Sequence, residues 1–437
     1  MNLFIVLLGI LLLVALISWG KVNAFLAFLV VSLVTGLLLG IPFSGITHCV
    51  YKGIGDTLGQ LAIVIVLGAM LGKLVAESGA AQRIATVMMN IFGEKYIQWA
   101  LMATGFIIGI PLFYNVGFVL MVPLIFSVVY KYKLPAVYIG LPMLASLSVT
   151  HGFLPPHPAP AALVGQFHAN MGKTLLYGLC IAIPAVIIAG PLFSRTLKGI
   201  KSAPLEGLVA ANKPEEQLPG AANSLLTSLL PVILLMLTTL LPLILPVQGA
   251  WKPFLDFLGD PSIILLLAIA VATYTLGIGT GKTIREIMHI YEDAVKDIAM
   301  ILLIIGGAGA LKEVFLESGV SKEIAAALQQ WPVHPLILGW LIAAIIRVCL
   351  GSATVAGLTA AGIILPLMQH SHVDPNLMVL SVGAGSLMFS HVNDGGFWLF
   401  KEYFNLSIKD TLRSWSVMET LVAFVGLGGV LLLNLFV

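Results

Sequence analysis

The feature that most constrains this chain is a series of apolar blocks, each about 17 to 22 residues long and almost free of charge. Such a block matches the ~20 residues that carry a helix across ~30 Å of hydrocarbon. A water-soluble core would show shorter runs broken by amphipathic stripes. Of the 437 residues, 59% are hydrophobic and only 10% are charged, against roughly 25% charged in a soluble domain. The expected fold class is therefore an all-α polytopic membrane protein with the lipid bilayer as its solvent. A net charge of +2 offers no basic surface, so no nucleic-acid partner is expected. Cys49, Cys180 and Cys349 are sparse and odd in number, which argues against a disulfide framework. In MNLFIVLLGILLLVALISWGK the first positive charge, Lys21, follows the apolar run and no small-residue cleavage site appears. The segment is read as a retained first helix.

Fourteen blocks are legible. They lie at 3–19, 22–40, 60–76, 97–114, 116–130, 136–152 and 174–193, then at 225–246, 261–278, 298–316, 333–350, 353–368, 376–392 and 415–436. Between the two sevens runs the polar stretch Arg195 to Ser224. The expected organisation is an N-terminal transmembrane repeat (1–194), a cytoplasmic linker (195–224) and a C-terminal repeat (225–437). Loops on one side carry fifteen Lys and Arg, from Lys21 to Arg413, and loops on the other only Lys52, Lys173, Lys252 and Lys322. The positive-inside rule makes the first side cytoplasmic and places both termini outside. Lys73, Lys312 and Arg347 remain inside apolar blocks.

Sliding the chain against itself by 240 residues aligns Tyr51 with Tyr291, Leu71 with Leu311, Glu77-Ser78-Gly79 with Glu317-Ser318-Gly319, and His151 with His391. The blocks coincide too, which points to duplication. Seven segments per half make the repeats inverted, and inverted repeats are characteristic of secondary transporters with midplane sites at broken helices. Blocks 97–114 and 116–130 are nearly continuous, as are 333–350 and 353–368. Each pair is expected to form a re-entrant hairpin or two full spans.

The hairpin tips are the first candidates for a binding site. The second contains Arg347, Gly351, Ser352 and Thr354; the first contains Tyr114 and Asn115. Small residues admit a ligand to the backbone, hydroxyls and amides bind it, and a helix N-terminus favours an anion. The competing reading of GSAT is a small-residue helix contact. Arg347 lies in an apolar block, so it is expected to meet an acidic side chain or a substrate carboxylate. Lys73 and Lys312, one turn from Glu77 and Glu317, are expected to snorkel or to pair with them. A third constellation joins Ser148, Thr150 and His151 to their repeat partners Ser390, His391, Asn393 and Asp394, all at helix breaks. Polar groups there bind hydroxyls or an ion without exposing backbone to lipid. Helix capping and bracing is the plainer role for both histidines. For proton coupling the candidates are Asp394, His151, His391, Glu77 and Glu317, with Asp394 favoured for its polar surroundings. His157 and His168 lack zinc-like spacing, so no metal is expected, and no cofactor is implied. GIGTGK at 277–282 lacks full P-loop spacing; energy is expected from an ion gradient.

At these same residues the chain resembles the gluconate permease family of the wider ion transporter superfamily. The resemblance runs over nearly the whole chain and is most specific in GAMLGKLVAESGAAQRIA (68–85), SVTHGFLPPHPAP (148–160), LGSATVA (350–356) and SHVNDGGFWLFKEYFNL (390–406). It implies a proton-coupled importer of gluconate or a similar sugar acid in a bacterial inner membrane, working as a homodimer by an elevator motion. Two positions depart from the family pattern. Asn115 stands where Glu is usual, which puts coupling through that position in doubt, and Ala159 stands where Gly is common. The alternatives are carriers of fructuronate, idonate or D-serine, a channel, and a membrane-embedded enzyme. The last is disfavoured because the polar clusters recur once per half, so the chain is not expected to be an enzyme.

Overall fold

Each of the fourteen blocks contains a helix, and among the described residues no strand occurs. The structure, a computed structural model, describes residues 2–112, 114–202, 213–244, 251–320, 323, 332–368, 371, 373–391 and 394–437. The helices of the first half are α1 (Asn2–Val14), α2 (Ala24–Leu38), α3 (Phe43–Ser78), α4 (Ala80–Phe92), α5 (Ile97–Gly109), α6 (Tyr114–Tyr132), α7 (Ala136–Phe153), α8 (Pro158–Gln166) and α9 (Met171–Ile187). Those of the second are α10 (Ala221–Ile244), α11 (Trp251–Leu258), α12 (Pro261–Ala272), α13 (Ile284–Glu317), α14 (Pro335–Leu350), α15 (Ala353–Met368), α16 (Pro375–Gly385), α17 (Gly395–Tyr403), α18 (Ile408–Thr411) and α19 (Val417–Leu433). Several begin at side-chain caps: Asn23, Asp260, Thr283, Asp374 and Asp394 each accept a hydrogen bond from a first-turn N–H, satisfying donors the helix itself cannot.

Burial sorts the helices into layers. In α7, α15 and α16 almost every residue is buried, as expected for helices that are apolar all round. On the outside, α1 turns Phe4, Leu7 and Leu11 outward, α2 Leu26, Val30 and Leu38, and α12 Leu266 and Leu267. Such faces suit lipid, where only the backbone needs internal satisfaction. Six helices among the described residues are long and apolar enough to cross a membrane, or seven if α3, bent by 47°, is one span. Helices α14 and α15, of 16 residues each, are about 24 Å long at ~1.5 Å per residue, less than the hydrocarbon thickness. They pack together across Gly351-Ser352, an arrangement consistent with a re-entrant hairpin.

Helices α3 and α13 are much longer than their apolar blocks. They have 36 and 34 residues, which at ~1.5 Å each is roughly 50 Å. Their N-terminal parts carry Lys52, Asp56, Glu292 and Asp293, so hydropathy marks only the second part of each. The two helices pack antiparallel. Gly53 faces Gly309 so closely that a Cβ on either would lie 2.4 Å from the other's carbonyl oxygen. Lys52 pairs with Glu313, and farther along Lys73 Nζ lies 2.8 Å from Asp297 Oδ2. The expectation that Lys73 pairs with Glu77 is thus corrected: the neighbouring helix supplies the carboxylate, and Glu77 is exposed. The 240-residue offset relates α3 to α13, α5 to α14, α6 to α15, α7 to α16 and α8 to α17. Opposite chain directions in the α3–α13 pair are what an inverted repeat requires.

The segment after the first half is anchored to α4. Arg83 donates from Nε to Pro219 O (2.9 Å), from Nη2 to Glu215 O (3.0 Å) and from Nη1 to Glu215 Oε1 (3.2 Å). Residues 203–212 of the linker lie outside the described residues.

Candidate functional site

Local chain chemistry ends α14 in the interior. Gly351 takes φ +77°, a left-handed conformation that glycine adopts without Cβ strain, and its N–H reaches back to Arg347 O at 2.9 Å. The chain restarts at once as α15, where Ser352 Oγ accepts from Val355 N–H at 3.4 Å. On the other side Asp394 caps α17, accepting from Gly396 N–H through Oδ1 at 3.1 Å. The same side chain receives Arg347 Nη2 at Oδ2, 2.5 Å away, together with the Ser390 hydroxyl. Arg347 is 3% exposed, so this ion pair answers the need of a charge inside the protein for a counter-charge.

These elements enclose a cavity of about 340 Å³, lined by Arg347, Gly351, Ser352, Ala353 and Thr354, by Asp394, Gly395 and Gly396, by Tyr114 from α6, and by Ser148 and His151 from α7. Ile301 and Ile304 of α13 and Leu387 add an apolar wall, and Trp415 and Glu419 complete it. The volume falls in the roughly 300–1,000 Å³ range of small-molecule sites. Trp415 belongs to a π-helical turn, Leu412–Ser416, that continues into α19, a distortion frequent at functional sites. Its ring stacks on Phe400 (centroids 5.4 Å apart, interplanar angle 29°) and its Nε1–H donates to Ser390 Oγ at 2.8 Å.

The polar groups facing this space are incompletely satisfied. Among the described residues, Tyr114 Oη, His151 Nδ1, Arg347 Nε and Nη1, and Glu419 Oε2 are buried without a hydrogen-bond partner. Each such group costs on the order of 1–3 kcal/mol, more if charged. Clustered on one cavity, they form a set of donors and acceptors that a polar anion would complete.

The sequence-derived candidates divide cleanly. Tyr114, Ser148, His151, Arg347, Gly351, Ser352, Thr354 and Asp394 meet at the cavity. Thr150 does not line it, and its hydroxyl is taken by Leu147 O at 3.0 Å. Ser390 lies one layer back, between Asp394 and Trp415. The His391 ring nitrogen Nε2 lies 2.9 Å from Val348 O, a bracing contact. Glu77 and Glu317 are exposed at the ends of α3 and α13. The Asn115 side chain and the whole of Asn393 lie outside the described residues. Trp415 and Glu419 are lining residues that the sequence set lacks, and an acid within the block 415–436 was the available signal.

Three of the stretches on which the sequence resemblance rests, 148–160, 350–356 and 390–406, contribute to the cavity's walls. A family model described as GntP family permease matches residues 1–436. The chain belongs to this family. Similar relatives include a high-affinity gluconate transporter of Escherichia coli K12, 49% identical over 100% of both chains. A Gnt-II system L-idonate transporter of the same organism is 48% identical over 99% of both, and a gluconate permease of Bacillus subtilis 168 is 46% identical over 100% of both. Among solved structures, the YdaH transporter of Alcanivorax borkumensis superposes with a TM-score of 0.67 over 94% of this chain and 97% of its own, at 17% identity. MtrF of Neisseria gonorrhoeae gives 0.66 over 93% of each, at 13% identity. Those two likenesses concern the fold. With its apolar spans, this GntP family member is a multi-pass membrane permease.

Proposed function

We propose that the chain imports gluconate or a closely similar sugar acid by proton symport. The observation carrying this reading is the polar lining around Arg347: partnerless guanidinium nitrogens for a carboxylate, and partnerless Tyr114 Oη and His151 Nδ1 beside the Ser148 and Thr354 hydroxyls for the hydroxyls of a ligand. A sugar acid has one carboxylate and several hydroxyls. The names of the full-length relatives support gluconate as the first substrate to test. L-idonate is the second reading, favoured by the 48% identity of the L-idonate transporter. The chain acts as a carrier and not as an enzyme, in a bacterial inner membrane with both termini outside, and works as a homodimer. Its two halves, 1–194 and 225–437, form the inverted repeats, with 195–224 as the cytoplasmic link. The deciding experiment is uptake of labelled gluconate into proteoliposomes with and without an inward proton gradient. Accumulation that a protonophore collapses supports symport. Saturable exchange without accumulation indicates an uncoupled carrier, and displacement by L-idonate at lower concentration than gluconate reassigns the substrate.

A further inference from the structure

We infer that Glu419 carries the coupling proton, an inference that rests on the symport reading above. Glu419 is 2% exposed on α19, and its Oε1 accepts from Ser148 Oγ at 2.7 Å. The other oxygen, Oε2, has no partner among the described residues and belongs to a residue lining the cavity. No salt bridge to Glu419 occurs among the described residues. The charged or titratable groups facing it are Arg347 from α14, Asp394 at the head of α17, and His151 and Tyr114 around the same cavity. Of the other elements against α19, α16 and the π-helical turn Ile188–Leu192 have no titratable side chain; Lys173 and Cys180 of α9 and Arg413 of the Leu412–Ser416 turn are exposed, and Tyr177 of α9 lies toward Asp374.

Comparison of the two carboxylates decides between them. Asp394 already uses Oδ2 for Arg347 and Ser390 and Oδ1 for the α17 N-terminus, so a proton there displaces an ion pair. Glu419 takes a proton on Oε2 and keeps its Ser148 contact. A proton on His151 would add a second cation beside Arg347, whereas one on Glu419 removes a charge. Coupling then follows from Coulomb's law in a poorly screened cavity. With Arg347 and Asp394 paired, an ionised Glu419 opposes an entering carboxylate, and a protonated Glu419 does not. Anion and proton therefore favour each other's binding by the same factor. The proton reaches Oε2 from external water and leaves to the cytoplasm with the anion, and no bond but O–H forms or breaks.

The test uses purified full-length protein in weak buffer with a pH-indicator dye, titrated with gluconate, beside the proteoliposome assay. Wild type is expected to take up about one proton per anion bound. Glu419→Gln is expected to take up none, to bind with an affinity that no longer varies with pH, and to exchange without accumulating. Proton uptake and protonophore-sensitive accumulation surviving in Glu419→Gln overturn the assignment and leave symport standing. Absence of both in wild type overturns symport itself. Should Glu419→Gln fail to fold, Ser148→Ala serves: removing the hydroxyl from Oε1 is expected to displace the pH profile of proton uptake, and an unmoved profile overturns the inference.

Discussion

Arg347 and Asp394 hold each other across 47 residues of sequence, Nη2 to Oδ2 at 2.5 Å, with only 4% and 17% of their side chains exposed. The pair ties the end of α14 to the start of α17 and leaves Nε and Nη1 of the guanidinium for a ligand. Arg347→Gln removes both functions. Loss of one partner from a buried ion pair costs about 3–5 kcal/mol, so the variant is expected to melt well below wild type. Where it remains folded, gluconate binding followed by calorimetry is expected to be lost. Normal affinity in folded protein would confine Arg347 to bracing.

Thr354 is a lining residue in the first turn of α15, and replacing its hydroxyl by a methyl keeps the shape. A typical net hydrogen bond of about 0.5–1.5 kcal/mol corresponds to roughly two- to tenfold in affinity. Thr354→Val is expected to raise the dissociation constant within that range without moving the melting temperature. An unchanged constant removes the hydroxyl from the site.

Gly395 lines the cavity, and a Cβ there would meet no atom within 4 Å. Gly395→Leu therefore projects into open space instead of into a neighbour. Uptake is expected to fall steeply while thermal stability stays near wild type. Full transport by this variant would show that ligand passes elsewhere.

Gly53 behaves in the opposite way. Its Cβ position lies 2.4 Å from Gly309 O and 2.8 Å from Ala310 Cα, both backbone atoms that a rotamer change cannot move. Gly53→Ala has to separate α3 from α13, an overpacking cost of about 1–3 kcal/mol. A lowered melting temperature is expected, with ligand affinity less affected.

Much of this arrangement was readable before any coordinates. Long apolar blocks became helices because a membrane helix is specified mainly by length and hydrophobicity. The tip residues were legible because Gly, Ser and Thr stand together where an apolar block breaks, although a small-residue helix contact has the same composition. Side-chain direction was harder. Ser148 and His151, three apart, share a face of α7, while Thr150 turns its hydroxyl to its own helix. Glu419 meets Ser148 over 271 residues, a proximity that only the packing of α19 on α7 creates. The N-terminal parts of α3 and α13 escaped because hydropathy scores a paired charge as it scores a solvated one: Lys52 of α3 meets Glu313 near the far end of α13, and Asp297 of α13 meets Lys73 near the far end of α3.

The 240-residue offset sets Tyr114 against Thr354, and both line the cavity. It sets Arg347 against Ile107, Asp394 against Leu154 and Glu419 against Leu179. The offset thus relates the helices of the frame, but the Arg, Asp and Glu side chains that line the cavity, Arg347, Asp394 and Glu419, all lie in the second half. An acid that takes Arg347 as its partner has its head fixed on the second half, leaving Tyr114, Ser148 and His151 of the first to meet the rest of it. The cavity has a direction that its scaffold lacks, and a ligand held there is read from one end.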